Sequence, residues 1–309
     1  MPQMKPTRVA VLLNQAAGTI VCADGRTLGE TITAAFTQHG IAASLEFLDG
    51  PELKAGAERT VREAKAGKLD AVAIGGGDGS IATVANVISG TDIPLGILPL
   101  GTFNHFAKDL DIPLQIEKAI DAVAAGHVRS VDLGEVNGEV FINNSSIGIY
   151  PYLVVSRDRL REQRGMRKWT AMVLATWRTF RHFPLRRLHI RSGGMTEPCR
   201  SPCVFIGNNE YSLTGRVAGK RDRLDGGELC VYVAKRESRS ALFWLACRSL
   251  AGFMDQSEDL RAVKATEVEI TSRTSRLLVA LDGEVAMLRT PLRYRIRPNA
   301  LKVFAPEKA

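Results

Sequence analysis

Over its first 126 residues the chain switches repeatedly between two hydrophobic patterns. Short apolar runs of small and branched residues, "RVAVLLN" (8–14), "AASLEFL" (42–48), "DAVAIGGG" (70–77) and "IPLGILPLG" (93–101), read as strands. Between them, "GRTLGETITAAFTQHG", "PELKAGAERTVREAKAG" and "SIATVANVISG" carry apolar residues at helical spacing, the second with proline near its start and glycine at its end. "TFNHFAKDL" and "IEKAIDAVAAG" add two more helices. Strands and helices alternating at this pitch predict parallel β-α-β units, and so an open sheet covered by helices.

Beyond about residue 130 the pattern changes. "SVDLGEVNGEVFINNSSIG" places two short runs around Asn137-Gly138, a hairpin signal. "CVFIGNNE", "ELCVYVAKR", "TEVEITS", "RLLVALDGE" and "PLRYRIRP" follow as further strands. Strands in succession after an α/β half predict a separate antiparallel domain, a sandwich or partial barrel. Helical segments at 161–183 and 239–254 interrupt it, and the terminal "ALKVFAP" is a strand that can return to either domain. The expected division is 1–130 and 131–297, with 298–309 returning to the first part.

Composition narrows the class. Apolar residues make 45% of the 309-residue chain, charged residues 24% and aromatics 6%, as in ordinary soluble globular proteins. No apolar run approaches the ~18 residues of a membrane span, and Asn14 and Gln15 follow "VAVLL" too soon for a signal peptide. Five scattered cysteines argue against a disulfide framework, so a reduced, cytoplasmic protein is expected. The net charge of +8 is concentrated. Residues 157–191 hold eleven lysines and arginines against two acids, a local balance of +9. That basic helical insertion points to an anionic surface as partner.

The chemistry lies in two glycine-rich turns. Gly75-Gly76-Gly77 closes one strand and opens a helix near Ser80. The turn can take positive φ and has no Cβ to hold a ligand away. The helix start turns free N–H groups and a positive dipole end toward it, which suits an anion. A second turn, "LPLGTFNHF", ends the next strand 25 residues later, with Gly101, Thr102 and Asn104. Neither turn fits a P-loop or a dinucleotide fingerprint. Asp78 is the anomaly, because a carboxylate beside phosphate is repelled unless a divalent cation or proton lies between them. A cation held by Asp78 and a turn-stabilising aspartate are the two readings. Asp282-Gly283-Glu284 reads, on spacing alone, as a hairpin turn.

"GGGDGS", "PLGILPLGTFNHFAKDLDIP", "VDLG" and the late "LDGE" together closely resemble the diacylglycerol kinase catalytic-domain family, which includes bacterial soluble lipid kinases and the sphingosine and ceramide kinases. "NQAAG" (14–18), "NNSSIGIYP" and "DGGELCVYVAKR" extend the resemblance over nearly the whole chain. It implies an α/β nucleotide-binding domain like those of phosphofructokinase and NAD kinase, then a β-sandwich domain, with ATP in the cleft between them. It also implies magnesium-dependent transfer of the γ-phosphoryl group to a lipid hydroxyl. Matching positions assign Asn14, Gly76, Gly77, Asp78, Gly79, Ser80, Thr102 and Asn104 to the nucleotide. Asp282 and Glu284 match the pair given the base and metal roles, beside Asp78 as a catalytic and metal residue.

Two departures stand out. His105 occupies a position where the family usually has aspartate, leaving Asp132 as a carboxylate that can still contribute. Asp225-Gly226-Gly227 replaces the usual Asp-Asp-Gly, so Asp225 is a weakened metal ligand. A dinucleotide kinase and a lipid sensor with little turnover are the rival readings. The basic segment and "PLGTFN" speak against the first, and retained Asp282 and Glu284 against the second. Peripheral contact with an anionic membrane through 157–191 is expected. No nucleic-acid partner is expected, and a homodimer is left open.

Overall fold

The computed structural model describes residues 3–17, 25–152, 154–155, 188–193, 195–199, 201, 203–212, 219–234 and 260–307. They form two units, Met1–Leu133 with Arg297–Ala309, and Gly134–Ile296. The helices expected at 161–183 and 239–254 lie outside the described residues, as does nearly all of the basic insertion.

In the first unit, β1 (Arg8–Asn14), β2 (Ala42–Leu48), β3 (Ala71–Gly76) and β4 (Leu95–Pro99) lie parallel in the order β2-β1-β3-β4. β3 and β4 are buried along their whole length, which is why their sequences are continuous apolar runs and not alternating ones. The connecting helices are α1 (Gly25–Gln38), α2 (Leu53–Lys65) and α3 (Asp78–Ile88), followed by α4 (His105–Asp109) and α5 (Ile116–Ala125). α3 buries Ser80, Ile81, Val84, Ala85 and Ile88, the spacing of one helical face. It starts two residues before Ser80, because Gly77 is extended and serves as its N-cap. That places Asp78 in the first turn, where a negative charge suits the dipole.

The second unit pairs antiparallel strands throughout. β5 (Val128–Val136) and β6 (Glu139–Phe141) make the expected hairpin, with Asn137 and Gly138 both at positive φ. One sheet runs through β7 (Asn144–Gly148), β10 (Cys203–Asn208), β11 (Leu229–Ala234), β12 (Leu260–Ala265), β14 (Arg276–Leu281) and β15 (Glu284–Arg289), in the order β12-β11-β10-β7-β14-β15. Against it lie β8 (Leu188–Ser192), β9 (Met195–Cys199), β13 (Glu267–Ser272) and the start of β16 (Leu292–Phe304). Ile147, Val204, Ile206, Val231 and Val279 from one sheet pack with Val268, Ile270, Leu292 and Tyr294 from the other. This is the expected sandwich. The two terminal runs of the sequence are one strand, β16, whose second half belongs to the first unit: Val303 pairs in parallel with Leu95. It passes Pro298 by a left-handed Asn299, whose N–H donates to buried Asp132 at 2.8 Å.

One buried charge ties the start of β7 in place. Arg221 is 1% exposed and donates to the carbonyls of Ile142 and Asn208 (2.8 and 3.0 Å) and to Asn143 Oδ1 (2.7 Å). Asp282 accepts from the amides of Ile142, Asn143 and Asn144, so the same short stretch is held from both sides. Removing Arg221 would take a buried charged donor from the Ile142 and Asn208 carbonyls and from Asn143 Oδ1, at a cost of about 1–3 kcal/mol. Arg221→Met is expected to lower unfolding free energy by that order, measured by denaturant titration. Adding Asp282→Asn should cost less than the sum of the two single changes.

Candidate active site

Carboxyl ends of parallel strands are where open α/β sheets take ligands, and here β1, β3 and β4 end together. The two glycine turns touch backbone to backbone. A Cβ at Gly101 would strike the Gly77 Cα and would lie 2.7 Å from Asn104 Oδ1, and one at Gly76 would meet Ser80 Oγ at 2.7 Å. None of Gly75, Gly76, Gly77 and Gly101 has a positive φ. Left-handed backbone, expected from the sequence, is therefore not why these residues are glycine. Close approach is the reason.

Asp78 joins the turns a second time. Its Oδ1 accepts the Phe106 N–H at 3.0 Å and its Oδ2 the His105 N–H at 3.1 Å, so it caps α4 from another element. Each carboxylate oxygen keeps a lone pair for a further partner. The His105 contribution is its backbone amide, which any residue but proline supplies. Its ring is exposed and stacks on Phe103 at 5.6 Å.

The remaining positions divide by how they are used. Asn14 Nδ2 donates to Ser80 Oγ at 2.7 Å, while its Oδ1 accepts from Ala16, fixing the end of β1 against the start of α3. Gly79 and Ser80 lie in the first turn, where the amides have no intrahelical acceptor. Thr102 is exposed. Asn104 is buried and left-handed, and its amide is spent on Gly101 and on the Pro99 and Gly101 carbonyls. It shapes the turn from within.

In the second unit, Asp282 and Gly283, at φ 48° and 90°, form the two-residue turn between β14 and β15. The hairpin read from spacing is thus present, and Asp282 also acts through its side chain. Burial pushes its carboxyl up to about 7, against the pull of three backbone amides and the Arg221 guanidinium. Glu284 opens β15 and is exposed. Asp225 is also exposed and accepts from Arg223 Nε at 3.2 Å. A Cβ at Gly226 would lie 2.6 Å from Asn209 Oδ1, so a side chain there would require the Asn209 amide to move. Among the described residues, no three His, Cys, Asp or Glu side chains gather as a metal site. Sequence reasoning missed Arg221, Asn143 and Asn208. Asn143 and Asn208 stand in the "INN" and "GNN" of runs read as strands, and nothing local in either run marks them as neighbours of Arg221.

Comparison with known proteins bears on family and fold. The diacylglycerol kinase catalytic domain matches residues 8–136, and the YegS C-terminal NAD kinase beta sandwich-like domain matches 152–305. A probable lipid kinase YegS-like from Pseudomonas syringae is 31% identical over 81% of this chain and 80% of its own. The Mycobacterium tuberculosis diacylglycerol kinase is 29% identical over 87% of this chain and 89% of its own. A crystal structure of a putative diacylglycerol kinase from Bacillus anthracis shares the fold at TM-score 0.75 and 21% identity, covering 99% of this chain and 97% of that one. Sequence and fold converge: the chain belongs to the diacylglycerol kinase catalytic-domain family, in its YegS-like two-part form.

Proposed function

We propose that the chain is an ATP-dependent lipid kinase, transferring the γ-phosphoryl group to a lipid hydroxyl of diacylglycerol or sphingoid type. The observation that carries this reading is the junction of β3 and α3. There the first-turn amides, the helix dipole and the Asn14–Ser80 pair converge beside a carboxylate with lone pairs to spare. The donor set fits a polyphosphate, and Asp78 fits a hydrated magnesium ion carried with it. The amides of Asp78, Gly79 and Ser80 would hold phosphate oxygens, and Asp78 would orient the metal. The bound metal supplies neutralisation of charge developing on the transferred group.

Of the two later carboxylates, Glu284 is the better proton acceptor for the lipid hydroxyl. It faces solvent, whereas Asp282 already spends its oxygens on three amides. Asp282 then sets the hairpin that presents Glu284. The peripheral contact expected of 157–191 belongs to the same proposal. Among the described residues no helix is long and apolar enough to cross a membrane. The lipid would then be met at its surface.

Labelled ATP with a panel of lipids, and NAD as a rival acceptor, tests the reading. Label should pass to a lipid and not to NAD. Asp78→Asn should cut kcat about 10²–10³-fold. It should also loosen the His105–Phe106 cap by about 0.5–2 kcal/mol, seen as a small drop in thermal midpoint. Unchanged turnover in that variant would leave Asp78 a cap alone.

Glu284→Gln should keep the wild-type midpoint and lose the chemical step. Asp282→Asn should lose stability by about 1–3 kcal/mol, because an amide NH₂ would face backbone donors. A rate–pH limb near 7 that vanishes in Asp282→Asn and persists in Glu284→Gln would move the base to Asp282, whose carboxyl titrates there.

A further inference from the structure

The β14–β15 hairpin has one face in the sandwich and one outside. Leu277, Val279, Leu281 and Leu288 enter the core, so the partners Arg276↔Arg289, Leu278↔Met287 and Ala280↔Val285 lie on the opposite face. There Ala280 is buried, and the exposed part is the arginines and Met287 with half-buried Leu278 and Val285. Three features of that face are unusual. Arg276 and Arg289 stand directly opposite each other, an arrangement that costs stability. Both are exposed, and neither has an acidic partner among the described residues. The other sheet solves the same problem differently. There Glu267 and Glu269 lie opposite Arg295 and Arg293, and both arginines are bonded to glutamates. Next to the unpaired arginines, Met287 is 57% exposed beside half-buried Leu278 and Val285. Finally, β15 is the outermost strand of its sheet among the described residues.

An apolar strip ending in two uncompensated guanidinium groups complements one surface chemically, the boundary of an anionic bilayer. Acyl chains meet the apolar residues there and phosphate headgroups the arginines. Along β15 the strip runs from Arg289 through Met287 to half-buried Val285, next to Glu284 of the turn. We propose that the outer face of the β14–β15 hairpin docks on an anionic lipid bilayer and brings the Asp282–Glu284 turn to the membrane. The proposal rests on the lipid-kinase reading for its purpose, and on the hairpin alone for its existence.

Full-length protein sedimented with vesicles of phosphatidylglycerol and phosphatidylcholine, or of phosphatidylcholine alone, tests it. Wild type should bind the anionic vesicles, more weakly as salt rises. Arg276→Gln/Arg289→Gln should bind roughly 30-fold more weakly, because two basic groups no longer face the headgroups. Met287→Ser should weaken binding at high salt as well as low. The arginine variant should unfold at the wild-type midpoint or above it, because repulsion has been removed, and should phosphorylate a dispersed short-chain diacylglycerol at the wild-type rate. Wild-type vesicle binding by the arginine variant would overturn the proposal. So would a wild-type dimer that the same substitutions dissociate, which would make the hairpin a protein interface. Failure of wild type to phosphorylate any lipid would overturn the kinase reading instead, leaving the vesicle result to judge the hairpin.

Discussion

The first unit depends on the contact of Gly77 with Gly101. Two parallel strands end side by side, and their turns approach until backbone meets backbone, which only a residue without Cβ permits. The approach brings the Asp78 carboxylate to the amides of His105 and Phe106, and so fixes where α4 starts. Asn104 closes the arrangement from inside, accepting left-handed backbone in exchange for three hydrogen bonds within its own turn. Asparagine tolerates that conformation better than most residues do.

A parallel logic governs the second unit with different residues. Asp282 takes the N–H groups of Ile142, Asn143 and Asn144, and Arg221 takes a carbonyl and a side-chain oxygen from the same stretch. Between β6 and β7 the chain leaves the ladder, and side chains stand in for a neighbouring strand. Buried backbone must be satisfied, and charged partners satisfy it most strongly.

Much of the fold was legible because its signals are local. The strands through "DAVAIGGG" and "IPLGILPLG" are apolar runs with turn residues after them, and the Asn137-Gly138 turn is named by its dipeptide. What escaped was set by distant partners. The unity of β16 is hidden by Pro298, a strand breaker that is tolerated where Asn299 turns left-handed and Asp132 takes its N–H. Arg221 sits among charges in "KRDRLDGG", and nothing local marks it as 1% exposed. For the candidate site, spacing gave the identity of the acids without their bonding. Sequence put Asp78 and Asp282 between two readings each, ligand-facing acid or turn residue, and both prove to hold backbone amides.

That double use changes how the departures from the family pattern read. An acid that holds a loop together cannot be exchanged without moving the loop, whereas a neighbour that contributes only its amide is free to vary. Position 105 is of the second kind toward Asp78, so a histidine there leaves the cap intact and alters only what the exposed ring offers. Position 226 is crowded in a third way, because a Cβ there would lie 2.6 Å from Asn209 Oδ1 and would need that amide to shift. A change from aspartate to glycine at such a place removes a carboxylate from the surface while the buried Arg221–Asp282 frame stays complete. Asp78 and Asp282 thus act on the frame through their carboxylates, whereas positions 105 and 226 offer a backbone amide and an exposed turn.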